Sequence, residues 1–200
     1  MKKVIFSSAV LLGMAVFCAC KNNSSGTPTT SDTKKEATAE VSDKPSFSTA
    51  IDYNDYIINR QKDIYNFIFK MTDVAATEPA AAEKVINEAI PAIDKIIAEI
   101  KDMPPYKSDV SFRDAAVPLF EFYKATFDGA YREIIAINKK GDKKTKADVD
   151  KQQTLSDNLS KEEAVLDVAM KSAQTAFAVS NNMRVQANTD MQQKVDELKK

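Results

Sequence analysis

The stretch Glu78-Pro79-Ala80-Ala81-Ala82-Glu83-Lys84-Val85-Ile86-Asn87-Glu88-Ala89-Ile90-Pro91-Ala92-Ile93-Asp94-Lys95-Ile96-Ile97-Ala98-Glu99-Ile100-Lys101 decides the fold. Ala82, Val85, Ile86, Ala89, Ile90, Ile93, Ile96, Ile97 and Ile100 recur at i, i+3, i+4 and i+7, which lines them along one face of an α-helix. Thr77 is the expected N-cap, and Pro79 fits the first turn, where a missing N–H costs little. Pro104-Pro105 closes the segment. The stripe carries six isoleucines. Each contributes roughly 1.5–3 kcal/mol on full burial, as an upper estimate.

Working outward, the same period appears on both sides. A first helix is expected over about Thr49 to Val74, with a stripe of Tyr53, Ile57, Ile64, Ile68, Met71 and the following Ala75. A third is expected over about Ser111 to Lys140, with Phe112, Ala116, Leu119, Phe120, Tyr123, Phe127, Ala130, Tyr131, Ile134 and Ile137 inward. Ser111-Phe112-Arg113-Asp114 resembles a capping box with Asp in place of Glu. Gly141 reads as its C-cap, and Lys139-Lys140 suit the negative end of the helix dipole. A fourth begins near Thr145, with Asp148 three residues on, and places Leu155, Leu159, Leu166, Met170, Ala173 and Phe177 inward. Ser160-Lys161-Glu162-Glu163 reads as a second capping box and predicts a kink or restart there. Asn181-Asn182 ends this helix, because Asn tolerates the left-handed conformation. The expected architecture is an all-α, antiparallel up-down four-helix bundle over residues 49–185. Residues 186–200 form a weakly helical or disordered tail with only a few apolar positions.

Composition agrees with this reading. Four glycines in 200 residues, and an excess of Ala, Lys, Asp, Ile and Glu, favour helices over sheets. The chain has 28 basic and 29 acidic residues. That balance supplies no basic face for nucleic acid.

The N-terminus has a different character. Lys2 and Lys3 precede an apolar, uncharged run from Val4 to Phe17, the pattern of a secretory signal peptide. The run is short for a bilayer-spanning helix, which needs about 20 apolar residues. Val16-Phe17-Cys18-Ala19-Cys20 resembles a lipobox, with Ala19 before the cut and Cys20 after it. The resemblance implies that residues 1–19 are removed and that the Cys20 sulfur carries a diacylglycerol. Cutting also removes Lys2 and Lys3, leaving 26 basic against 29 acidic residues and a net charge of −3. One acyl chain anchors weakly, at roughly 0.8 kcal/mol per buried CH2, whereas several hold firmly. Cleavage removes Cys18 and lipid blocks Cys20, so neither a disulfide nor a cysteine metal pair is expected. Residues 20–48 read as the lipidated cysteine and a disordered tether, since Asn22 to Ser31 and Thr33 to Lys44 have too little to bury.

Much familiar chemistry has no residues to carry it. The chain has no histidine. A Glu-x-x-His di-iron centre, a C-x-x-C-H haem site and a Ser-His-Asp triad therefore cannot be assembled. A zinc site lacks its usual His and Cys ligands, and no glycine-rich phosphate loop is present. Asp148 and Asp150, near Lys143-Lys144, read as a solvated first turn of a helix and do not match a calcium loop. No catalytic residue, metal ligand or cofactor is assigned beyond the covalent lipid on Cys20.

Three residues remain as candidates for contact with a ligand or partner. Arg60 interrupts the first stripe, and either marks a ligand site or reaches the edge and pairs with a carboxylate. Phe69 and Phe122 lie off the main stripes and are candidates for a partner-binding patch. Pro91 and Pro118 sit inside helices, where each kink either curves its helix around the core, the favoured role, or, shared, opens a pocket for a small apolar ligand.

The lipobox and polar tether are similar to those of Bacteroidota-like diderm lipoproteins. The mature part resembles a family of helical-bundle lipoproteins with no assigned activity. That resemblance rests on Tyr53-Asn54-Asp55-Tyr56-Ile57, on Gly141-Asp142, and on Ala173-Gln174-Thr175-Ala176-Phe177-Ala178 with Asn182-Met183. It implies an outer-membrane lipoprotein. Surface-displayed members carry acidic residues after the cysteine and its neighbour, where this chain has Asn22-Asn23, so the periplasmic face is favoured. The expected function is a non-enzymatic binding or scaffold module of the envelope, and the alternative is a carrier of a small apolar ligand.

Overall fold

Thr49 and Asp52 start the first helix as a reciprocal pair. The Thr49 hydroxyl accepts from the Asp52 N–H at 3.1 Å, and the Asp52 carboxylate accepts from the Thr49 N–H at 3.1 Å. This satisfies two of the donors that every helix start leaves open. Residues 17–19, 45–187 and 193 are described in this computed structural model. Within them the elements are β1 (Phe17–Ala19), α1 (Ala50–Ala75), α2 (Pro79–Lys101), α3 (Ser111–Thr126), a π-helical turn (Phe127–Tyr131), α4 (Arg132–Asn138), a 3-10 turn (Gly141–Lys143), α5 (Lys146–Ser180) and β2 (Val185–Ala187). Because α3, the π turn and α4 run on without a break, the domain consists of four helical rods. The remaining residues of the expected signal peptide, Cys20 with the tether up to residue 44, and the tail from residue 188, Gln193 apart, lie outside the described residues. No helix among the described residues is long and apolar enough to cross a membrane.

The helix limits follow from local chemistry, with two corrections to the sequence reading. Glu78, not Thr77, occupies the N-cap of α2, with no side-chain cap bond. Its N–H still bonds back to the Val74 carbonyl at 2.8 Å, and Pro79 opens the new helix directly behind it. The Ser111 box does not form either. Asp109 accepts from both the N–H (2.8 Å) and the hydroxyl (2.7 Å) of Ser111, while Asp114 pairs with Arg113 at 2.8 Å. Gly141 adopts φ +53° and Asn182 φ +53°, the left-handed stops expected at those places.

Thr145 and Asp148 form the second reciprocal cap, at the start of α5. Lys140 donates to Asp148 at 2.5 Å. That bond, followed by those from the Thr145 backbone and hydroxyl, holds the carboxyl down at about 2 against an ordinary 3.8. A carboxyl lowered in the folded state stabilises above its unfolded pKa and ceases to do so as pH falls through the folded one. Asp148→Asn is therefore expected to lower the melting temperature at pH 7, with the difference from the parent vanishing as pH falls from about 4 to about 2. A gap that persists undiminished at the acid end would contradict this.

Packing joins α1 to α2, α2 to both α3 and α4, and α3 to α5. Ile57, Ile64 and Ile68 of α1 meet Ile86, Ile93 and Ile100 of α2, all essentially inaccessible. Phe112, Leu119 and Phe120 of α3 complete this layer. Phe47, in the last residues read as tether, packs its ring against Tyr53 and Tyr56 at 5.0 and 5.3 Å. The β1–β2 pair is antiparallel, with Cys18 opposite Gln186.

α5 departs from the reading in an instructive way. It runs unbroken from Lys146 to Ser180, so Ser160 starts nothing. The Ser160 hydroxyl instead donates back to the Ser156 carbonyl at 2.9 Å. Leu159, Met170 and Phe177 are buried, but so are Ser156, Glu163, Asp167 and Gln174. Val165, Val168 and Val179 face outward. Its inner face thus mixes polar with apolar residues, while three valines of its second half face outward.

Candidate functional site

Three features of the domain have the makings of a site. The first is a groove of about 420 Å3 between α1 and α2, with Phe67 and Ile96 among its lining and Arg60, Asp63, Lys70 and Glu99 at its edge. Arg60 donates through Nε to Glu99 at 2.6 Å and stands 4.6 Å over the Tyr56 ring. Tyr56 also donates to Glu99, at 3.4 Å. Arg60 thus has three partners, Glu99, Tyr56 and, at 3.6 Å, Asp63, and a part-exposed head, the edge-and-pair arrangement weighed from sequence. Charges of both signs over an apolar floor suit a polypeptide better than a single ion.

The second feature is a depression of about 430 Å3 at one end of the domain, shaped by Thr49, Ile51, Tyr106, Lys107, Asn182 and Arg184. Tyr106 and Asp109 bond to each other through both backbones, at 3.0 and 2.8 Å. Lys107 and Ser108 complete this tight turn with φ of 49° and 72°. Neither residue signals such a conformation in sequence, which is why the turn was not foreseen.

The third lies inside. Gln61 donates to the Tyr65 hydroxyl at 2.8 Å, and Tyr123 hydrogen-bonds Tyr65 at 3.1 Å and donates to Glu163 at 2.8 Å. One turn further along α5, Asp167 accepts from Lys171 at 2.5 Å. Beyond that, Gln174 donates to Asn54 at 2.8 Å. Burial, reinforced by the Glu163 charge, pushes the Tyr65 and Tyr131 phenols far above their usual range. Burial does the same to Tyr123, beside Tyr65 and Glu163. Desolvation also raises the Asp167 carboxyl, against the pull of Lys171. The phenols therefore stay protonated as donors, and the cluster fixes the rotation of α5 against α1 and α3. Two buried hydroxyls, Tyr53 and Thr126, have no hydrogen-bond partner among the described residues.

The candidates singled out in sequence do not converge. Arg60 lines the α1–α2 groove. Phe69 lies nine residues further on, about two and a half turns, and so on the opposite side of α1. It is half-buried against the core. Phe122 is 9% exposed, with its ring 5.6 Å from that of Tyr123, so it is a core residue and not a partner patch. Pro91 and Pro118 are both exposed and line neither depression. Glu162 is exposed, but Glu163 is a buried acceptor, not a cap. Cys20 lies outside the described residues. Among the described residues, no group of three His, Cys, Asp or Glu is placed to hold a metal ion.

The residues missed by sequence reasoning carry a signal all the same. Ser156, Leu159, Glu163, Asp167, Met170, Gln174 and Phe177 follow one another by three or four, a single helical stripe in which polarity masks burial. No protein-family model matches the chain, and neither a curated protein nor a solved structure does.

Proposed function

We propose that this chain is an exported lipoprotein, cut before Cys20 and held to the outer membrane by lipid on that cysteine. Its helical domain serves as a binding or scaffold module and not as an enzyme. The observation that carries this reading is Cys20 itself, which closes a basic-then-apolar leader and precedes a long polar stretch. The four rods are read as an up-down antiparallel bundle. Short connections such as residues 76–78 support that order, as does the packing of each rod on the next. The groove beside Arg60 is the favoured contact surface, because it combines an apolar floor with charges of both signs. Asn22-Asn23 after Lys21 favour the periplasmic face. A cut after Ala19 would also part β1 from β2, so processing would leave Val185–Ala187 without that strand.

Cys20→Ala tests the anchor. Cells fed a labelled fatty acid should mark the parent chain and not the variant, and the variant should move from the membrane to the soluble fraction. A Cys20→Ala chain that stays fully membrane-bound would sink the proposal. Protease added to intact cells should spare the domain until lysis if it faces the periplasm. An Arg60→Glu chain that folds normally should lose a partner captured by crosslinking, whereas undiminished capture would move the contact elsewhere.

A further inference from the structure

The first and last rods leave a seam between them. Packing joins α1 to α2 and α5 to α3, but α1 and α5 are not joined along their length. Their direct bonds among the described residues lie at one end, where Gln174 donates to Asn54 at 2.8 Å and Phe177 stacks on Tyr53 at 5.2 Å. Eleven residues away on each helix, Tyr65 meets Glu163 through the Tyr123 hydroxyl of α3, which supplies the floor. The α1 wall is Asn54, Ile58, Gln61, Tyr65 and Phe69, spaced by three or four, and therefore on one side of its helix. The α5 wall is Ser160, Glu163, Asp167, Lys171 and Gln174, with the same spacing.

Both walls are shut off from solvent although they do not close on each other. Ile58, Gln61 and Tyr65 on one side, and Glu163 and Asp167 on the other, are buried. Phe69, Ser160, Glu163, Lys171 and Gln174 each make a further contact beyond the bonds described. A buried seam between two separated walls has a third body over it.

We infer that the C-terminal tail, residues 188–200, docks in this seam as a short helix with Met191 and Val195 turned inward. Beyond α5 the Met183 N–H donates to the Ala178 carbonyl at 2.8 Å, and Arg184 borders the depression beside Thr49 and Ile51. The chain thus crosses from the end of α5 to the start of α1, at the Asn54–Gln174 end of the seam. Gln193 is helical and exposed. At about 100° per residue, Met191 and Val195 fall on the opposite side of that helix, with Leu198 close to them. The thirteen residues after Ala187 span about 20 Å as a helix, and the seam from Gln174 to Glu163 is about 17 Å long. Asp190 and Lys194, four apart on one flank, are opposite in sign to Lys171 and Asp167, four apart on α5. Other segments suit the seam less well. The run from Val4 to Phe17 is uncharged and offers nothing to Glu163, Asp167 or Lys171. The tether has too few apolar residues to fill the space beside Ile58 and Phe69. The tail, moreover, is present whether or not the leader is cut.

Two measurements on the full chain test this. Thiol labelling, read peptide by peptide to set Cys18 and Cys20 apart, should modify Val195→Cys at least about tenfold more slowly than Gln193→Cys, and both at one rate in urea. The chain has no tryptophan, so Phe69→Trp reports on the seam alone. Its emission should move to the red when the chain stops after Ala187. Val195→Asp should do the same in a full-length chain that keeps its helical circular dichroism. Removing residues 1–19 should leave the emission in place. Equal labelling of Val195→Cys and Gln193→Cys would overturn the inference. So would an emission that ignores Val195→Asp, or one that shifts on loss of residues 1–19 instead, which would make the leader the occupant.

Discussion

Phe177→Ala is expected to lower the unfolding free energy by about 3–5 kcal/mol. Phe177 is 1% exposed and sits where four segments meet. Its ring stacks on Tyr53 of α1 at 5.2 Å, meets Tyr106 of the tight turn at 5.7 Å and approaches Phe112 of α3 at 5.9 Å. Truncation removes the transfer energy of the ring and leaves a cavity that these rigid neighbours cannot fill. A domain of this size has about 5–15 kcal/mol in hand, so about a fifth or more of its stability goes with one side chain. Urea unfolding followed by circular dichroism measures the loss directly. Val179→Ala, two residues on, is the internal comparison. It is 72% exposed and should change stability by less than about 0.5 kcal/mol in dilute protein. A cost for Phe177→Ala below about 1 kcal/mol would mean that the aromatic junction is not where the structure places it.

The second large effect concerns Glu163. Glu163→Ala should cost about 3 kcal/mol, because it leaves the buried Tyr123 hydroxyl without its acceptor and opens space beside Tyr65. Glu163→Gln keeps an acceptor oxygen at the same reach and should cost about 1 kcal/mol or less. The separation between the two variants is the test. Equal losses would show that the side chain matters for its volume and not for the bond from Tyr123. A double-mutant cycle with Tyr123→Phe should return a coupling of at least about 1 kcal/mol, the size expected of groups in one buried network.

Sequence reading reached the helices because periodicity and caps are local. The isoleucine stripe of α2, the Thr145–Asp148 cap and the stops at Gly141 and Asn182 each depend on neighbours a few residues away. It missed what depends on other helices. Ser160-Lys161-Glu162-Glu163 has the local form of a helix start, yet tertiary packing carries α5 straight through it and turns Glu163 inward to Tyr123, forty residues distant. Phe122 falls off the α3 stripe and is buried nonetheless. Asn54, Gln61 and Gln174 are polar yet buried: Gln174 of α5 bonds to Asn54 of α1, and Gln61 bonds to Tyr65, which meets Tyr123 of α3. The groove beside Arg60 was legible only as one charged residue within an apolar stripe. Its other wall, Glu99, is supplied by α2.

The π turn at Phe127–Tyr131 sets how the two halves of this rod face the core. Counted at about 100° per residue, the buried positions of α4 fall roughly 50° off the line set by those of α3. The wide turn absorbs the difference, so that Ile134 and Ile135 still reach the core. The rod's two halves thus keep a common inner side through a change of pitch alone, at a turn where Gly129 is exposed with open space where a Cβ would be. Forcing this segment into a regular α-helix would swing the inner residues of α4 about 50° away from the core.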